Sequence, residues 1–341
     1  MRVAAGQFKA IDEQDLEFAK MLGVDGVSYN ALDFDMRDNR WALGQPDYTF
    51  NQHNPSWRYD ELARLHELVQ KHGLRLESME NVPVRMMREI KTAGPDRERE
   101  LDAYCATIEA MGRAGIPGLG YSFMLLQVHR SDWASPARGG SVSNAFRRAD
   151  IEDEPLAFGR RISADEIWER YEYFIRRVLP VAESAKVTLA LHPDDPPVPE
   201  LYGVARIFSS FEAHRRAIED IAPSLMHGLG YCMGTWSEMS VETMFKGLNY
   251  FGERKKLAYL HFRNIRGVTE DFEETFIDEG DFDVVEAMQV LHRVGFDGFM
   301  MDDHVPHMPN DTRWSHRGRA YQTGYLRALV RAVGQLSAKA G

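Results

Sequence analysis

The sequence predicts an α/β protein built as a single (β/α)8 TIM barrel, and three observations carry that reading. Eight short β-type runs alternate with segments of helical period along 341 residues, no break in composition divides the chain, and four potential metal ligands stand at the ends of the last four runs. In such a barrel the carboxyl ends of the parallel strands converge on one mouth, where functional side chains gather. An open doubly wound sheet is the competing arrangement. The only glycine pair resembling a dinucleotide loop, Gly118 and Gly120, lacks the third glycine and the helix start that such a loop requires.

The elements follow in order. RVAAGQF (2–8) reads as the first strand and 12–22 as the first helix; VDGVSYN (24–30) precedes a helix at 59–73, and LRLESME (74–80) precedes one at 97–115. GLGYSFM (118–124) leads to 164–185, VTLALH (187–192) to 204–220, and SLMHGLGYC (224–232) to 241–252. LAYLHF (257–262) is followed by 282–295, and GFMMDDH (298–304) by 316–335. Apolar residues at a spacing of three and four mark the helices, and short apolar runs bounded by turn residues mark the strands. Several helical patterns stop at a glycine, as at Gly73, Gly115 and Gly295, where a left-handed cap ends a helix cheaply.

Two connections are long, 31–57 and 125–163. The first carries Trp41, Tyr48, Phe50, His53 and Trp57, and the second carries His129, Trp133 and the basic stretch SPARGGSVSNAFRR. Their aromatic content argues against disorder, so both read as lids over the barrel mouth or as contacts between subunits. The run Arg254, Lys255 and Lys256 reads as a solvated face, and Met86 with Met87 as packing.

Composition narrows the function. Hydrophobic residues make up 44% and charged residues 27%, an ordinary globular balance that the length turns into one large domain, 1–341. A formal net charge of −11 supplies no electrostatic reason to bind nucleic acid or an anionic membrane. The expected partner is a small molecule. Only two cysteines, Cys105 and Cys232, suggest no disulfide framework and fit a reduced, cytoplasmic setting. The N-terminal segment turns acidic before any apolar stretch long enough for a signal peptide, and no window is long and apolar enough to span a membrane.

The chemistry centres on His192, Cys232, His261 and Asp303, separated by 40, 29 and 42 residues, about one strand-helix unit each time. Two imidazoles, a thiolate and a carboxylate can close on one divalent cation. Singly, each residue has a plainer reading: a strand-end histidine is often only hydrogen-bonded, and a buried cysteine is usually a small hydrophobe. Their repetition at four strand ends favours the metal. Either aspartate of HPDDPP could orient the His192 ring, as carboxylates commonly do for metal-bound histidines. Arg263, two residues beyond His261, shares its face and is a candidate substrate ligand. Glu80, Asn81, Tyr121 and Ser122 are candidates to bond substrate hydroxyls, with structural roles as the alternative.

At these residues the chain resembles the mannonate dehydratase family, metal-dependent lyases of the xylose-isomerase-like barrel group. ENVPV (80–84), GYSFM (120–124), LALHPDDPP (189–197), GYCMGTW (230–236), YLHFRN (259–264), GDFD (280–283) and DDH (302–304) carry the resemblance. It implies that His192, Cys232, His261 and Asp303 hold Mn2+, with Fe2+, Co2+ and Zn2+ also compatible with the donor set. It further implies that His304 and Tyr321 transfer protons, that the substrate is a sugar acid, and that the chain forms a homo-oligomer. The implied reaction converts D-mannonate to 2-keto-3-deoxy-D-gluconate and water. The chain departs from the family pattern at Val198, at Met300, Met301 and Asp302, and near Ile277, where the family commonly carries basic residues or histidine. A sugar isomerase or epimerase on the same barrel, and a binding protein without activity, are the alternatives.

Overall fold

The computed structural model describes residues 1–8, 11–30 and 56–340. Trp41, Tyr48, Phe50 and His53 of the first long connection lie outside the described residues. Eight parallel strands form a closed barrel: β1 (Arg2–Phe8), β2 (Gly26–Asn30), β3 (Arg75–Glu80), β4 (Gly118–Tyr121), β5 (Thr188–Leu191), β6 (His227–Cys232), β7 (Leu257–His261) and β8 (Phe299–Met301). Going round the barrel, β1 is followed by β8, β7, β6, β5, β4, β3 and β2. Closure occurs between β1 and β8, where Arg2 pairs with Phe299 and Ala4 with Met301. Each strand lies within its predicted run, and each of the last four ends at or just before a predicted metal ligand.

The barrel interior explains the glycines. Tyr259 and Phe299 stack inside it at 5.2 Å and pack with Ala4, Ala190 and Met301. A Cβ on Gly120 would stand 2.3 Å from the Tyr259 hydroxyl, and one on Gly230 would stand 2.7 Å from it. Gly120 and Gly230 make room for an aromatic ring, so Gly120 needs no phosphate to account for it.

Most outer helices match expectation: Glu13–Leu22, Tyr59–Lys71, Arg97–Arg113, Ala164–Ala185, Val241–Glu253, Val284–Arg293 and His316–Ala340. The predicted helix over 204–220 does not form as one piece. Val204–Ala205 instead pairs with Glu200–Leu201, and the helix is confined to Phe211–Arg215 followed by a π-turn over Arg216–Ile221. Met86 and Met87 are buried in the core. Lys255 and Lys256 donate to backbone carbonyls, Lys255 to Val294 at 2.9 Å and Lys256 to Ser224 at 2.5 Å.

The second long connection is ordered. Within it Asp132–Pro136 and Val142–Arg147 pair antiparallel, and the hairpin of Ile265–Val268 and Asp271–Glu274 joins them in a four-stranded accessory sheet. Phe146 faces Phe272 in the register, and Val142 exchanges backbone hydrogen bonds with His307 beyond β8. The sheet is thereby fastened to the carboxyl end of the barrel.

Candidate metal centre and active site

His192 follows the last residue of β5, where Pro193 stops the strand. Its Nδ1 donates to the Pro193 carbonyl at 2.7 Å, which leaves Nε2 to meet the Cys232 sulfur. Neither neighbouring aspartate orients the ring. Asp194 accepts from the Phe208 amide at 3.0 Å, and Asp195 accepts from Arg130 and Arg263.

Cys232 ends β6 and is the register partner of His261 at the end of β7. One ligand atom from each of His192, Cys232 and His261 lies within 4.8 Å of the others. Asp303, just beyond β8, adjoins them: its Oδ2 is 3.5 Å from the Cys232 sulfur, and its Oδ1 accepts from Gln7 at 2.7 Å. Burial pushes the Cys232 thiol up, but the Arg263 guanidinium and the two histidines outweigh it and bring the thiol down to about 6. A thiolate at neutral pH is the form a cation needs. Burial likewise opposes charge on His261, yet Glu80 and Asp303 raise its pKa well above the usual histidine value. Glu80 stands 2.5 Å from His261 Nε2, though without hydrogen-bond alignment, and neither ring nitrogen of this buried histidine has an aligned partner. Buried polar atoms rarely stay unpaired without a reason. A thiolate, a carboxylate and two histidines whose ring nitrogens a cation could take by displacing a proton fit a divalent cation of the first transition row.

Behind the donors lies a buried charge network. Arg263 Nη2 reaches Asp195 Oδ2 at 3.0 Å and Glu238 Oε1 at 2.9 Å, while its Nη1 reaches Glu274 Oε1 at 2.8 Å. Arg130 meets Asp195 Oδ2 at 3.0 Å and Glu274 Oε1 at 2.7 Å. Burial and the neighbouring Asp195 push the Glu238 carboxyl well above its usual range. Of the three carboxyls that face the two guanidinium groups, Glu238 is the one whose anion is disfavoured, while Asp195 and Glu274 are held down. His304 sits at the edge of this network, its Nδ1 2.6 Å from Glu274 Oε1 and its Nε2 3.9 Å from Asp303 Oδ1.

The donors open into a cavity of about 510 Å3, counting its open mouth, lined by Gln7, Asn81, Ser122, Gln127 and His304 among others. Glu80, Asn81 and Ser122 also line it. Three expected residues lie elsewhere. Side chains alternate along a strand; Gly120 faces the barrel, so Tyr121 faces the helices and its hydroxyl meets His227 at 2.8 Å and Tyr171 at 3.2 Å. Arg263 is engaged by carboxylates beneath the cavity and is fully buried. Tyr321 is 36% exposed, with its hydroxyl 3.4 Å from Arg138 and its ring edge-on to Phe276. Val198, Ile277 and Met301 are all buried apolar residues, and Asp302 pairs with Arg319, so these departures from the family pattern fill core positions.

Sequence reasoning missed Gln7, Glu274, Glu238 and Arg130. Gln7 holds a left-handed backbone (φ 62°) where β1 shifts register between Ala5 and Phe8, a bulge that turns its amide toward Asp303. Its one sequence signal was a polar residue inside an apolar strand. Glu274 and Arg130 lie on the accessory sheet or beside it, where charged residues are unremarkable.

Comparison with known proteins agrees with this geometry. The sequence pattern of the D-mannonate dehydratase (UxuA) family matches residues 47–158 and 154–340. A mannonate dehydratase of Streptococcus equi subsp. zooepidemicus is 28% identical over 315 residues, covering 82% of this chain and 85% of that protein. The crystal structure of mannonate dehydratase from Streptococcus suis serotype 2 matches with a TM-score of 0.84 at 27% identity, over 99% of this chain and 95% of that one. An L-ribulose 3-epimerase matches with a TM-score of 0.60 at 13% identity, over 100% of this chain and 98% of that one, a likeness of fold alone.

Proposed function

We propose that this chain, which belongs to the D-mannonate dehydratase family and so to the hydro-lyases, removes water from D-mannonate to give 2-keto-3-deoxy-D-gluconate. The observation that carries the reading is one cavity in which a four-donor cluster adjoins a histidine with a free ring nitrogen.

The reaction is difficult because the C2–H beside a carboxylate is weakly acidic and hydroxide leaves poorly. His192, Cys232, His261 and Asp303 would hold a divalent cation, Mn2+ in first place. When bound, that ion supplies Lewis acidity, which offsets negative charge on the substrate oxygens. The remaining work falls to the protein. His304 presents Nε2 to the cavity, from which it can take the C2 proton. The same imidazolium can return that proton to the C3 hydroxyl, so hydrogen and hydroxide leave together as water and one group suffices for both transfers. Tyr321 has no part in this scheme, because its hydroxyl is held by Arg138 near the surface. Asn81, Ser122 and Gln127 offer neutral hydrogen-bonding groups to the sugar hydroxyls. Two free cysteines suit a reduced, cytoplasmic setting, and the family resemblance implies a homo-oligomer; no described helix is long and apolar enough to cross a membrane.

The test is turnover by metal-stripped protein before and after Mn2+ is restored. Keto-deoxy acid from D-mannonate only after reconstitution is the expected result. No keto-deoxy acid from any of a panel of aldonates would overturn the reading.

A further inference from the structure

We propose that Glu274, delivered from the accessory sheet rather than from the barrel, is the positioning residue that fixes the tautomer of His304. The inference rests on His304 being the proton-transfer group of the proposed reaction.

The carboxylate is held on every side. Oε1 accepts from Arg130 Nε at 2.9 Å, Arg130 Nη2 at 2.7 Å and Arg263 Nη1 at 2.8 Å, and Oε2 accepts from Asn144 Nδ2 at 2.6 Å. The residue is buried, so these contacts replace water entirely. Burial would push its carboxyl up, but His304, Arg130 and Arg263 hold it at about 2, so Glu274 stays an anion and can only accept.

His304 Nδ1 has two neighbours that make opposite demands. Glu274 Oε1 lies 2.6 Å away and requires a proton on Nδ1, whereas Arg263 Nη1 lies 2.8 Å away and, as a donor, requires a lone pair there. Arg263 Nη1 already donates to Glu274, so the carboxylate can satisfy both the arginine and the imidazole. Nδ1–H therefore points at Glu274, and the lone pair of neutral His304 is on Nε2, facing the cavity. Take away the anion, and Arg263 claims Nδ1. The ring then carries its proton on Nε2 and offers substrate a donor where the reaction needs an acceptor. Glu274 thus decides which form of His304 meets the substrate, although it need not touch the substrate.

The test pairs kinetics with a measurement that needs no substrate. Glu274→Gln keeps the side-chain shape, and the expected result is a kcat lower by about 10²–10⁴-fold with KM and bound Mn2+ near wild type. Arg266→Gln, which breaks an exposed ion pair with Glu273 on the same hairpin, should leave turnover unchanged. In parallel, 15N-histidine spectra of the Zn2+-loaded protein at high pH, assigned with His304→Gln, should show Nδ1–H for His304 in wild type and an increased share of Nε2–H in Glu274→Gln, whose amide oxygen is the weaker acceptor. A wild-type Nε2–H signal, or a Glu274→Gln enzyme within about threefold of wild-type kcat, would overturn the proposal. If wild type gives the Nδ1–H signal but no dehydration of any aldonate, the tautomer assignment stands and the activity reading falls.

Discussion

At the residue scale, the four residues proposed to hold the metal were legible because each is a polar group ending an apolar run, and the barrel brings such ends together. Their supports were not. His192 takes its orientation from the Pro193 carbonyl rather than from Asp194 or Asp195, a local backbone turn that residue types do not announce. Tyr121 was misassigned by one step of strand alternation, since only the register says which of Gly120 and Tyr121 faces inward. Two expectations follow. Cys232→Ser should lose most of its bound metal, because a serine hydroxyl remains protonated where the thiol, at about 6, does not. Gln7→Leu removes the hydrogen bond to Asp303 Oδ1 and should weaken Mn2+ binding by about 10- to 100-fold with the fold intact. Equilibrium dialysis measures both, and wild-type affinity in Cys232→Ser would count against the donor set.

At the element scale, alternating strands and helices could be read along the chain, because each βα unit is local. The accessory sheet could not, since Phe146 pairs with Phe272 across several intervening units and its strands look like loop in isolation. The broken helix at 204–220 was missed for the related reason that Val204–Ala205 finds a strand partner in Glu200–Leu201. Sequence reasoning set aside a phosphate loop at Gly118 and Gly120 but gave no reason for Gly120 or Gly230, which Tyr259 supplies. Gly230→Ala should therefore destabilise the barrel by about 1–3 kcal/mol, read as a lower melting temperature, because its Cβ would meet the Tyr259 ring. Replacing the hairpin Ile265–Glu274 with a short turn should abolish turnover while metal binding persists, since all four proposed donors end or follow barrel strands. Loss of metal along with turnover would show that the sheet supports the barrel itself.

At the scale of the whole molecule, length, even composition and acidic charge pointed to one large domain with a small-molecule site, and the alternation of strands and helices pointed to the closed barrel that forms. Buried ionisable groups outside the site were invisible in sequence. Lys91 is fully buried beside the Met124 carbonyl, and burial lowers its pKa from 10.5 to about 7. Between those values the unfolded chain binds the proton that the folded protein has released, so this residue makes stability rise with pH from about 7 to 10.5. Glu100 acts in the opposite sense: burial raises it from 4.5 to about 7, so its contribution is full below 4.5 and lost as pH rises through 7. Lys91→Met should flatten the alkaline part of the melting profile relative to wild type. Metal at 100 times its dissociation constant should add about 2.7 kcal/mol to the folded state, seen as a higher melting temperature that Cys232→Ser does not share.

The central claim is that this site removes water by abstracting the C2 proton. Turnover of D-mannonate by the Mn2+-reconstituted protein in D2O, followed by mass spectrometry and NMR of the product, tests it most directly. The expected product has lost one water and carries one deuterium at C3, taken from solvent as the enol becomes the ketone. A product of unchanged composition, with deuterium at an epimerised or isomerised carbon, would contradict it.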